Sequence, residues 1–275
     1  MNLPCAQSRR ALLLTAGTLL AMTLSLAVHA ETVDCTPVTS LPAVIDTQGI
    51  YCLTGNLATS QNSGNAITIN ANNVTLDLNG WKVGGQAAGT ATNAFGILSA
   101  SSNVTVQNGI VRGFYAAIRL SGRGAVVRDM LLDQNAVYGI WLSGEGAVVE
   151  HNQIVDTGGS TISAYVGAIG IYTTGNGATV SDNAVSGLTG TFNVYGIYLA
   201  GSSSAARNNV VSNTVRPTGI SSYGIYQLSN IVMNNIVSNF ETCIFSGSEG
   251  LYAQNSVNDC TTNYSGGVAG AGNSP

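Results

Sequence analysis

A small residue followed by isoleucine recurs along this chain, at Ala66-Ile67, Gly96-Ile97, Ala117-Ile118, Gly139-Ile140, Gly170-Ile171, Gly196-Ile197, Gly224-Ile225 and Cys243-Ile244. After each copy stands an Asn or Asp with an apolar residue two positions on. These pairs are Asn79/Trp81, Asn108/Ile110, Asp129/Leu131, Asn152/Ile154, Asn183/Val185, Asn209/Val211, Asn235/Val237 and Asn255/Val257. Two markers in strict alternation define a repeat of 19 to 31 residues, and a period of that size is the signature of stacked repeat architectures. Insertions at 85–93, 158–166 and 216–222 account for the longer copies.

Each repeat holds short segments that alternate apolar and polar residues, separated by Gly-rich breaks: Ile-x-Leu, then Val-x-Val or Ala-x-Val, then Asn-x-Ile. A period of two means strand, whereas a helical solenoid needs about ten or more residues at a 3.6 spacing. A three-strand unit cannot bury its apolar face alone and must stack on its neighbours. The expected fold is all-β, a parallel β-helix of about eight coils from 41 to 264, within a domain at 31–265 followed by a Gly-rich C-terminal tail at 266–275. Stacked coils then sit roughly 4.8 Å apart, the spacing of paired strands. Only 8% of residues are charged and 45% are hydrophobic, which excludes a disordered chain. A net charge of −4 with Lys82 as the single lysine argues against nucleic acid as a partner.

The first thirty residues read as an export signal. Arg9 and Arg10 form a positive start, Ala11 to Val28 an apolar stretch, and Ala30 a small-residue cleavage position. The stretch is interrupted by Thr15, Thr18, Thr23 and Ser25 with no charged stop after it, so no membrane span is expected once it is removed. Cleavage would leave a periplasmic or secreted protein, expected to be a monomer, with His151 as its histidine. Losing Arg9 and Arg10 takes the net charge from −4 to −6.

Removal of Cys5 with the signal leaves Cys35, Cys52, Cys243 and Cys260. An even number in an exported chain reads as disulfides. Three pairings are possible, and the clustering near each end favours Cys35 with Cys52 and Cys243 with Cys260, each loop worth about 3 kcal/mol. The spacings are too wide for the tight C-x-x-C pairs of a zinc site. No metal or cofactor is expected.

The segment at 35–57 (CTPVTSLPAVIDTQGIYCLTGNL), followed by Ile67-Thr-Ile and Asn73-Val-Thr-Leu-Asp-Leu-Asn79-Gly80, resembles the opening of exported right-handed parallel β-helix proteins of the pectin-lyase-like superfamily. The resemblance implies a right-handed coil and a carbohydrate-related role. It names no reaction, because that superfamily hosts lyases, hydrolases, epimerases and adhesins. The chain lacks the Asn-Thr-Asp and Gly-His-Gly set of polygalacturonases, the Asp-Pro-His of mannuronan epimerases and the dense acidic calcium cluster of pectate lyases.

Reading down equivalent positions gives the candidate site residues. The Asn column is expected to form an amide ladder, with Asn tolerating left-handed turns. Four residues further on, Asp133 and Asp156 on adjacent coils would bring two carboxylates within about 5 Å, with Arg112 before them to bind a substrate carboxylate. These three are the catalytic candidates, against the alternative of a second turn ladder. One residue before the Asn column, Arg128, His151 and Asp182 would place a general base between opposite charges, or simply form a polar stripe. The outward position after the repeated Ile reads Leu98, Arg119, Trp141, Tyr172, Tyr198, Tyr226 and Phe245. Aromatic rings on consecutive coils make a flat stripe on which sugar rings stack, or a ladder that only stabilises the sheet. From Arg119 to Phe245 this column is the candidate substrate-binding surface.

These features support a protein that binds, and as an enzyme would cleave or modify, a polysaccharide along the stripe; if an enzyme, it would be a lyase, hydrolase or epimerase. The alternative is a non-catalytic structural or cell-surface interaction protein.

Overall fold

The alternating segments pair strand on strand with every partner parallel. In the computed structural model, which describes residues 34–162 and 167–275, each coil contributes one strand to a ten-stranded sheet and one or two strands to an eighteen-stranded sheet. The coil around Trp141 is representative. Tyr138–Leu142 lies in the ten-stranded sheet, Val148–Glu150 and Gln153–Val155 lie in the larger one, and Ala168–Thr173 returns to the first. The order along the ten-stranded sheet follows chain order, as a solenoid requires. Its eight marker strands gain one more at each end, Ala43–Ile45 and Thr262–Ser265. The expected export segment at 1–30 lies outside the described residues, and no described helix is long and apolar enough to cross a membrane.

The core is a column of inward aliphatic side chains. Ile67, Ile97, Ile118, Ile140, Ile171, Ile197, Ile225 and Ile244 are all fully buried, and each faces its counterpart one coil away. The small residue before each Ile points inward as well, so the first strands bury two successive residues, as in Tyr138–Leu142. At Gly139 a Cβ would come within 2.6 Å of the Gly170 carbonyl oxygen and 2.7 Å of Ile154 Cγ2. This close approach is why the marker is small.

The amide ladder forms at the expected positions from Asn152 to Asn255, but not on the coils before them. Asn152, Asn183, Asn209, Asn235 and Asn255 are buried, and each donates its backbone N–H to the side-chain oxygen of the next, ending on Asn273. Before Asn152 the position is held by Met130 and Gly109, because Leu131 pairs with Gln153 and Met130 with Gly109. Asn108 and Asp129 therefore fall in the preceding column, with His151, Asp182, Asn208, Asn234 and Gln254, all of which take left-handed φ between 54° and 59°. The frames slip by one residue because Ile110-Val111 and Leu131-Leu132 are each two apolar residues in a row, and the second of each pair is the buried one. A one-residue slip exchanges faces.

The ends are held by the expected pairs, Cys35–Cys52 and Cys243–Cys260. The Gly-rich segment expected as a separate tail is instead part of the last coil. Val268–Ala269 pairs with Leu251–Ala253, and Ser274 bridges to Ser256. Backbone hydrogen bonds hold this segment on the coil together with the Asn273 side chain, which ends the amide ladder and donates to the Tyr252 carbonyl at 3.2 Å.

Candidate functional site

The outward column of the ten-stranded sheet is continuous. Leu98 faces Arg119, Arg119 faces Trp141, Trp141 faces Tyr172, Tyr172 faces Tyr198, Tyr198 faces Tyr226, and Tyr226 faces Phe245. From Trp141 to Phe245 the ring centroids are 6.0, 5.0, 4.8 and 4.5 Å apart. All of these rings are half-buried, with one face against the sheet or a neighbouring ring.

The expected flat platform is not what they form. Tyr226 and Phe245 are nearly parallel at 9°, but Trp141–Tyr172 and Tyr172–Tyr198 are inclined by 38° and 39°, and Tyr198–Tyr226 by 69°. Coil spacing exceeds the thickness of a ring, and the ring quadrupole favours inclined over eclipsed contacts. The surface is corrugated.

A second aromatic column, absent from the sequence reading, runs beside the first. Phe95, Tyr138, Tyr195 and Tyr223 stand three residues before Leu98, Trp141, Tyr198 and Tyr226, and Tyr115 fills the gap between Phe95 and Tyr138. Simple alternation places residues three apart on opposite faces. Here two successive inward residues, Gly-Ile, break the alternation and return both rings to one face, with Tyr138 at 4.9 Å from Trp141 and Tyr195 at 4.9 Å from Tyr198. The recurring aromatic-Gly-Ile-aromatic string was the available signal.

The electrostatics of this surface are simple. Arg119 is the one charged residue among the described members of the two columns. Its guanidinium lies 4.0 Å from the Trp141 ring centroid and 5.3 Å from that of Phe95, both within cation–π range. The ion pairs among the described residues are Arg112–Asp133 and Arg123–Glu145, so the Arg119 charge is not neutralised by a carboxylate. Burial pushes the Tyr138 phenol up to about 12, reinforced by Tyr115 and Tyr172 and opposed by Arg119. Burial likewise raises Tyr172, Tyr195, Tyr198 and Tyr226. The phenols are therefore neutral donors over the ordinary pH range.

The other sequence candidates lie on the larger sheet and at its turns, where the register slip separates them. Asp133 faces Arg112 on one side and Val155 on the other, so Asp156 stands one position out of its column. The Arg112 guanidinium donates to Asp133 at 2.9 Å and to Gln134 Oε1 at 2.8 Å. The expected alignment of the two carboxylates is thus replaced by an ion pair. Arg128 faces Glu150, not His151, and donates twice to Gln107 Oε1 at 3.0 and 2.7 Å. Arg128, His151 and Asp182 do not share a column. No cluster of metal-ligating side chains occurs among the described residues.

No family model matches the chain, and no curated protein matches it. Among solved structures it is similar to the Dettilon tailspike protein, at 17% identity and a TM-score of 0.61, over 82% of this chain and 47% of that one. It thus spans about half the length of that protein. It also aligns with the mannuronan C-5 epimerase AlgE6 A-module of Azotobacter vinelandii, at 13% identity and a TM-score of 0.40 over 88% and 91% of the two chains. The tailspike protein of E. coli bacteriophage HK620, in complex with a pentasaccharide, aligns at 11% identity and a TM-score of 0.40 over 86% and 55%. The likeness is one of fold. The described residues form a right-handed parallel β-helix.

Proposed function

We propose that this chain is an exported polysaccharide-binding β-helix whose two-column aromatic face holds an extended, predominantly neutral glycan. The observation that carries the reading is the ring lattice, running from Phe95 to Phe245 on one outward face. Such rings offer apolar faces to sugar C–H groups, while neutral phenols and the Trp141 indole donate to ring hydroxyls. A net charge of −6 after signal removal disfavours a uniformly acidic chain. Arg119 is the single point on the face where an anionic substituent gains.

Binding is favoured over turnover because the described members of the two columns carry no carboxylate, and Asp133 is engaged with Arg112. Screening the mature protein against a glycan array, with product analysis on every glycan retained, tests both halves. Retention of neutral glycans without new products is expected. Retention with chain cleavage or epimerisation would make it an enzyme, and no retention would leave a structural coil.

A further inference from the structure

Two insertions that interrupt the repeat meet across the molecule. The Thr161 backbone N–H donates to the Thr90 carbonyl at 3.2 Å, and the two threonine hydroxyls lie 3.5 Å apart across 71 residues of sequence. A cavity of about 300 Å³ is bounded by both loops, with Gln86, Thr90, Gly113, Gln134, Ala136 and Asp156 in its wall. Gly113 is required there, since a Cβ would lie 2.4 Å from the Gln86 nitrogen and its φ is +81°.

The wall has a definite chemistry. Gln86 Nε2 donates to Gln134 Oε1 at 2.6 Å, and that oxygen also accepts from Arg112, whose charge is matched by Asp133. Gln86 Oε1 and Gln134 Nε2 have no protein partner among the described residues. Arg112 Nε is buried and also has none. Asp156 is exposed and has no ion-pair partner among the described residues. The cluster of Arg112, Asp133 and Asp156 carries one net negative charge. That repels carboxylate, sulfate or phosphate, whereas a carboxylate acceptor beside free amide ends matches the hydroxyls of a neutral ring. At roughly 300 Å³ the space is at the small end of ligand sites, enough for one ring and not for a chain. Gly113 and Ala136 lie two residues before Tyr115 and Tyr138, so the cavity flanks the aromatic face.

We propose that this cavity is a second binding site, taking one neutral hydroxyl-rich ring, and that on a branched glycan it receives a side unit while the main chain follows the rings. The side-unit assignment rests on the reading of the aromatic face; the cavity's own preference does not. The test is nitrogen-15 NMR of the mature chain titrated with glucose, galactose and mannose, and with galacturonate as the charged counterpart. At least one neutral hexose should shift the amides of Gly89, Gly113, Ala136 and Gly158, and galacturonate should not. Asp156→Gly suits the left-handed φ of +50° at that position and should weaken the hexose about tenfold. Asp156→Asn, equally at home there, should weaken it less. Trp141→Ala should leave the hexose titration unchanged and weaken only longer oligosaccharides, so the two sites fail separately. The proposal is overturned if no hexose moves these amides, if galacturonate binds as well, or if Asp156→Gly titrates like the parent protein.

Discussion

The Arg119 guanidinium rests on the ring of Trp141, 4.0 Å from its centroid and one coil along in the same outward column. A ring on the following coil does for this cation what a carboxylate usually does, and leaves its charge available to a ligand. Arg119→Gln should weaken an acidic oligosaccharide about fivefold, the worth of roughly 1 kcal/mol for an exposed charge pair, and leave a neutral one within about twofold. Calorimetric titration with the two oligosaccharides, repeated at high salt, measures this. Equal losses for both would show that Arg119 acts through packing alone.

Tyr138 carries the aromatic face's clearest pH signature. Its folded pKa is raised from 10.0 to about 12, chiefly by burial. Between these values the unfolded chain has lost a proton that the folded chain keeps, so stability falls as pH rises through that window. Denaturant midpoints should drop from about pH 10 to about pH 12, and Tyr138→Phe should reduce that drop. An unchanged slope in the variant would assign it to other phenols.

The ladder predicts a large cost for one amide. Asn209 Oδ1 accepts from both the backbone N–H and Nδ2 of Asn183 at 3.0 Å, and its own Nδ2 donates to the Val180 carbonyl at 3.0 Å. Asn209→Leu would leave these buried groups without partners, at about 1–3 kcal/mol each. Equilibrium unfolding should show a loss of about 3–5 kcal/mol, far above the usual surface substitution.

These particulars also show what the sequence could and could not convey. The coil was legible because the small-Ile marker is a packing rule: Gly139 has no room for a Cβ, and Ile140 must fill the core. Both disulfides were legible from clustering. The register of Arg112, Asp133 and Asp156 was not, because Ile110-Val111 and Leu131-Leu132 fit either frame of a period-two pattern. The Tyr138 column was missed for the converse reason. Alternation predicts that Tyr138 and Trp141 point apart, and only the inward Gly139-Ile140 pair brings them together. The meeting of Thr90 with Thr161 depends on loop conformation, which no periodicity encodes.

Export predicts a definite product. The mature chain should begin at Glu31, with Cys35–Cys52 and Cys243–Cys260 both closed. Intact mass and thiol labelling of protein recovered from the native host check this together; a retained N-terminus with four free thiols would place the chain in a reducing compartment.

The reading of the aromatic face stands or falls on affinity measured beside stability in the same variants. Trp141 and Tyr198 are two coils apart on one column, close enough to hold one extended glycan. Trp141→Ala and Tyr198→Ala should each weaken a neutral oligosaccharide retained on the array by about five- to tenfold, consistent with roughly 1 kcal/mol or more per stacked ring. The double change should weaken it further, with the thermal midpoint little altered. A sharp fall in the thermal midpoint with unchanged affinity would contradict the account and make the rings a structural ladder.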